Sequence, residues 1–164
     1  MTWFDYALIA VVGLSALIGI WRGLVREVFA LAGWIAAIAV ALLFAGEAAR
    51  LIPPGFANPL ARTVIAFTVL FIVILVVVSI AGLLFTKAVR AVGLGFADRT
   101  LGGVFGFARG ALILLVIALA AGLTAVSKEP FWREAKLAPP LETAAIAVKP
   151  YLPPALADKV RYGR

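Results

Sequence analysis

The residues of this chain whose types and spacing could do chemistry are charged ones in an apolar background. They form two groups, Arg22-Gly23-Leu24-Val25-Arg26-Glu27 and Asp98-Arg99 with Arg109 farther on. Guanidinium groups bind anions through fixed N–H forks, and carboxylates accept from them or from helix N-termini. Arg22, Arg26, Arg99 and Arg109 could therefore line an anion-attracting vestibule. The plainer reading makes them orientation signals plus one buried ion pair that locks the helices. Asp98 and Arg109 share nearly one helical face but lie about 16 Å apart along the axis. Arg109 therefore needs another partner, and Glu27 is the expected counter-ion.

Helices must place these groups. Arg109 falls about 12 Å beyond Leu101 at 1.5 Å per residue, inside a segment apolar enough for hydrocarbon, where a charge usually faces protein or a water-filled cavity. Gly102, Gly106 and Gly110 recur every fourth residue around it. On a helix they make a side-chain-free stripe that lets another backbone approach closely, which is how helices associate in lipid. Self-association through this stripe is one expectation. Gly13, Ser15, Ala16 and Gly19 slim the first apolar segment in the same way.

Enzyme chemistry is not expected. The chain has no histidine and no cysteine, which removes the commonest general base, metal ligand and thiol nucleophile. The carboxylates are scattered, and no Gly-Lys-Ser/Thr closes the glycine pattern after Asp98 into a phosphate loop. No catalytic, cofactor-binding or metal-ligating residue is assigned, and no cofactor is expected.

Composition sets the class. Of 164 residues, 65% are hydrophobic and 14% charged, against about 25% charged in soluble domains; mean hydropathy is +1.12. Four apolar segments, 4–21, 28–46, 63–86 and 101–126, each reach the roughly 20 residues that span a bilayer. None alternates like a barrel strand. The expected fold is an all-α integral membrane protein, a four-helix transmembrane bundle over residues 1–126. Trp3 and Trp21 bracket the first span about 27 Å apart, as interfacial belts do. Trp34 reads as a packing residue, and the third span carries no chemistry. Pro53-Pro54-Gly55 and Asn58-Pro59 mark turns between the second and third spans. The net charge of +7 belongs to bases flanking the spans, so it points to membrane headgroups and not to nucleic acid.

Residues 127–164 hold six of the nine prolines and seven of the fifteen bases. They read as a proline-rich tail on the membrane surface or in water, with short amphipathic helices expected over 142–149 and 155–161. Asp5 is expected to be the last residue in water before the first span, with a half-buried acid as the alternative. No positive n-region precedes that span and no small-residue cleavage site follows it, so it reads as a retained helix. Bases flanking the spans balance between the two sides. The acid before the first span and Arg22 and Arg26 after it then put both termini outside by the positive-inside rule.

The opening Trp3-Phe4-Asp5-Tyr6-Ala7-Leu8-Ile9-Ala10 with Gly13 and Ser15, the turn Arg22–Glu27, the run Asp98-Arg99 through Gly102, Gly106, Arg109 and Gly110, and Val126-Ser127-Lys128 with Trp132 together resemble the colicin V production protein (CvpA) family. The resemblance covers residues 2–136. It implies a multi-pass protein of the bacterial inner membrane with about four spans, tied to toxin production or export and to envelope integrity. Transport of a solute or peptide is one implied role, and a non-transporting scaffold for envelope or secretion proteins is the alternative. Some relatives carry a serine protease after this region; the short, His-free tail gives no ground for that activity here. The expected partners are the lipid bilayer and either a second copy of the chain or other membrane proteins.

Overall fold

The computed structural model describes residues 1–53, 55 and 58–153. Four long helices follow one another: α1 (Trp3–Arg22), α2 (Leu24–Ala49), α3 (Pro59–Ala91) and α4 (Gly95–Leu123). All four are long and apolar enough to cross a membrane. After a 3-10 turn at Ala125–Lys128 come two short helices, α5 (Pro130–Arg133) and α6 (Ala138–Val148), and a 3-10 turn at Lys149–Tyr151. No strand occurs among the described residues. The helix expected over 155–161, and Pro54, lie outside them.

The helices overrun the expected spans where the charged connections are themselves helical, whereas α4 ends at Leu123, three residues before the expected end of the fourth span. Gly23 alone separates α1 from α2. α3 is closed by Gly93, whose φ of +83° suits a residue without Cβ. Leu94 N–H donates to the Val89 carbonyl and Gly93 N–H to that of Arg90, both at 3.1 Å, a Schellman closure. α4 then starts at Gly95, so Asp98 and Arg99 lie in its first turns, not ahead of it. At the other end of α3, Asn58 accepts from Ala61 N–H at 2.7 Å, with Pro59 at the first helical position.

The chain forms two compact units, Met1–Trp21 with Gly103–Arg164, and Arg22–Gly102. In the second, small residues of α2 (Gly33, Ala37, Ala41, Ala45, Ala49) are buried and α3 lies antiparallel beside it. Gly82 meets Phe29, and Gly33 meets Val78. Phe29 stacks near Phe85 with centroids 5.1 Å apart, and Trp34 sits edge-on to Phe71 at 5.5 Å. The rest of α3 is mostly exposed apolar surface, as suits hydrocarbon contact.

In the first unit, α1 runs antiparallel to α4. A Cβ on Gly103 would stand 2.6 Å from Ile20, one on Gly110 2.9 Å from the Val12 Cα, and one on Gly106 against the Ser15 carbonyl. The backbone that the glycines admit is thus α1 of the same chain, through Gly103, Gly106 and Gly110; Gly102 belongs to the other unit. The described part of the tail joins this unit. Trp132, Ala135, Ala138 and Ala145 form a core with Ala118 and Ala121 of α4, flanked by Phe4 and Phe131.

Candidate functional site

Gly23 adopts φ +90° and ψ 157°, a region open essentially to glycine alone. This conformation turns the chain directly from α1 into α2 and leaves the first amides of α2 without their own residue's cap. Asp98 of α4 supplies it: its Oδ1 accepts from Val25 N–H at 2.9 Å. A Cβ on Gly23 would collide with the Asp98 carboxylate. The two halves of the charged motif thus meet as a helix cap provided from a distant helix, with the carboxylate at the positive end of the α2 dipole. Asp98 Oδ2 has no hydrogen-bond partner among the described residues.

Glu27, in the first turn of α2, is 3% exposed, and its Oε1 lies 3.6 Å from Arg22 Nη1. Arg26 and Arg99 are exposed. These residues belong to the second unit.

Arg109 belongs to the first unit. It stands fourteen residues into α4 and fourteen from its end, about 21 Å from either. Its Nε donates to Ser15 Oγ at 3.1 Å and its Nη2 to the Ser15 carbonyl at 3.3 Å. Ser15 Oγ in turn donates to the Gly106 carbonyl at 2.6 Å. Ser15 is buried and Arg109 half-buried. The close approach at Gly106 lets these groups meet across two helices. A guanidinium does not release its proton in proteins, so Arg109 is a fixed charge and a donor, not a relay. Sequence reasoning saw Ser15 only as a small packing residue.

Asp5 overturns its sequence reading: it is fully buried. It closes a capping box, with Thr2 N–H donating to its Oδ2 at 2.8 Å and its own N–H donating to Thr2 Oγ1 at 3.4 Å. Its two oxygens also accept from Lys136 N–H at 3.2 Å and Leu137 N–H at 2.9 Å. One carboxylate thereby joins the start of α1 to the start of α6. Beside it, Phe4 lies 5.3 Å from Trp132 and 5.4 Å from Phe131 by ring centroids. Trp132 Nε1 donates to Glu142 Oε1 at 2.8 Å. The signal was present as Thr2-x-x-Asp5, a capping-box spacing at the head of an apolar run.

An open apolar groove of about 790 Å³ runs along this unit, lined by Leu8, Val12 and Ala16 of α1, Ala108 and Leu112 of α4, and Leu141 of α6.

Four membrane-length helices, a fixed charge in the middle of one and a carboxylate-capped turn define a small all-α membrane protein. A sequence model of the family described as Colicin V production protein matches residues 4–146. The chain belongs to that family. An Escherichia coli (strain K12) protein named Colicin V production protein is 40% identical over 82 residues, covering 50% of each chain. The chain thus spans about half the length of the curated relative it matches. No solved structure matches it.

Proposed function

We propose that this chain is a non-enzymatic component of the bacterial inner membrane that helps move a small solute or a peptide, with both termini outside. Support comes from Arg109, a permanent charge at the centre of a membrane-length helix and anchored by Ser15. Intramembrane charge at such depth is costly and marks pathways more often than it marks packing. The matched relative's name ties that protein to colicin V production; toxin export and envelope integrity are the settings proposed for the role. Purified chain in vesicles loaded with carboxyfluorescein or a labelled peptide tests it. Protein-dependent release that Arg109→Ala abolishes supports transport. Vesicles that stay tight, from a chain that restores envelope integrity in cells lacking it, overturn it.

The second reading is a scaffold that organises envelope or secretion proteins. The open apolar groove beside α6 supports it, since a partner's transmembrane helix would find there an apolar, concave face. Crosslinking of a photoreactive residue at Leu141 to one defined membrane protein would favour this reading over transport.

A further inference from the structure

On the second unit, a cavity of about 110 Å³ lies between α2 and α3, lined by Arg22, Arg26, Phe29, Ala30, Ser79, Gly82 and Leu83. Its polarity is graded along the helices. Arg22 ends α1 and Arg26 stands in the first turn of α2. Ala30 is four residues farther, about 6 Å along the axis. α3 runs the opposite way, with Gly82 beside Phe29 and Val78 beside Gly33, so Ser79 lies at the deep end. Two guanidiniums, an apolar wall and then a hydroxyl follow one another inward.

Ser79 is the telling residue. Its neighbours on the same helix, Thr63, Thr68 and Thr86, donate to the carbonyl four residues back at 3.1, 2.8 and 2.7 Å. That is how a hydroxyl in lipid satisfies itself. Ser79 makes no such bond and has no other partner among the described residues, though it lies within the most apolar helix of the chain. Ser79 lines the cavity. At the rim, Glu27 holds Arg22 at 3.6 Å, while Arg26 has no carboxylate partner among the described residues, leaving the cleft one positive charge in excess.

We propose that this cavity seats the interfacial part of an anionic phospholipid. The phosphate lies between Arg22 and Arg26, the glycerol carbons pass along the apolar wall of Phe29 and Leu83, and a glycerol-ester carbonyl accepts from the Ser79 hydroxyl at the deep end. A phospholipid presents phosphate, glycerol carbons and ester carbonyl in that order with depth, which a free phosphate does not. The N-terminus of α2 does not supply the attraction, because Asp98 already caps it.

The test is binding of a tail-labelled phosphatidylglycerol to delipidated, purified full-length chain in detergent, with phosphatidylcholine and inorganic phosphate in parallel. Arg26→Gln should weaken phosphatidylglycerol about fivefold, the effect of one interfacial base, and remove the preference over phosphatidylcholine. Ser79→Ala, which deletes one oxygen at an exposed position, should weaken both lipids about threefold, the net effect of one hydrogen bond. Arg90→Gln, the same charge change outside the cavity, should bind as the parent chain does. The proposal is overturned if Ser79→Ala binds both lipids unchanged, or if Arg90→Gln costs as much as Arg26→Gln. It is also overturned if inorganic phosphate displaces the lipid at equal concentration, which would mark a free-anion site.

Discussion

At Gly106 a single methyl group would meet the Ser15 carbonyl, and the backbone around it has no room to yield because Ser15 also anchors Arg109. Gly106→Ala should therefore destabilise the protein by about 1–3 kcal/mol, the usual range for overpacking. Gly13 lies on the same α1, but a Cβ added there would have nothing within 4 Å, so it should respond in the opposite direction. Gly13→Ala should gain up to about 1 kcal/mol from helix propensity. Thermal midpoints of the two purified variants in one detergent check both signs. Gly23 carries two constraints together, a glycine-only backbone conformation and the contact with Asp98. Asp98→Ala should cost about 1 kcal/mol for the lost cap. Gly23→Ala should cost more, since it adds about 1–3 kcal/mol of backbone strain to displacement of the same carboxylate. Chemical unfolding of the two variants gives the ranking, and equal losses would contradict the backbone strain at Gly23, whereas no loss for Asp98→Ala would contradict the cap.

The helices themselves were legible in the sequence, because runs of about twenty apolar residues have few other uses. Their ends were not. A charged stretch such as Lys87–Thr100 looks like a loop by composition, yet one glycine with positive φ is enough to turn the chain and let helix resume at once. The glycine stripe was legible as a packing face, but which backbone fills it is a question of topology, and the answer is α1. The short C-terminal helices were expected as surface elements, whereas Trp132 is fully buried and its indole finds Glu142. That outcome depends on Asp5, which accepts from two amides more than 130 positions away, beyond any periodicity. Asp5→Ala should release α5 and α6 from α1. Amide exchange should then rise over 136–148 while α2 and α3 keep the protection of the parent chain. An unchanged exchange pattern would show that the aromatic cluster alone holds the tail.

For the whole molecule, the described part of the C-terminal segment builds a core with α4. Ending the chain at Lys136 removes Ala138 and Ala145 from contact with Trp132 together with the Leu137 amide bound by Asp5, so the remaining chain should melt at a lower temperature than the parent. Ending it after Pro153 keeps every core residue named above, and is thus the cleaner probe of whether the last residues dock a partner. The bond between Ser15 and Gly106 closes across 91 residues and that between Asp5 and Leu137 across 132. At synthesis rates of about 5–20 residues per second, α1 waits roughly 5–25 s for the segments that complete it, whereas α3 follows α2 directly. During that interval α1 is an orphan in the nascent chain, with a buried-to-be acid at one end and an unmet serine in its middle. A chain that ends before Gly103 leaves α1 without the Gly106 carbonyl and the Leu137 amide that complete it.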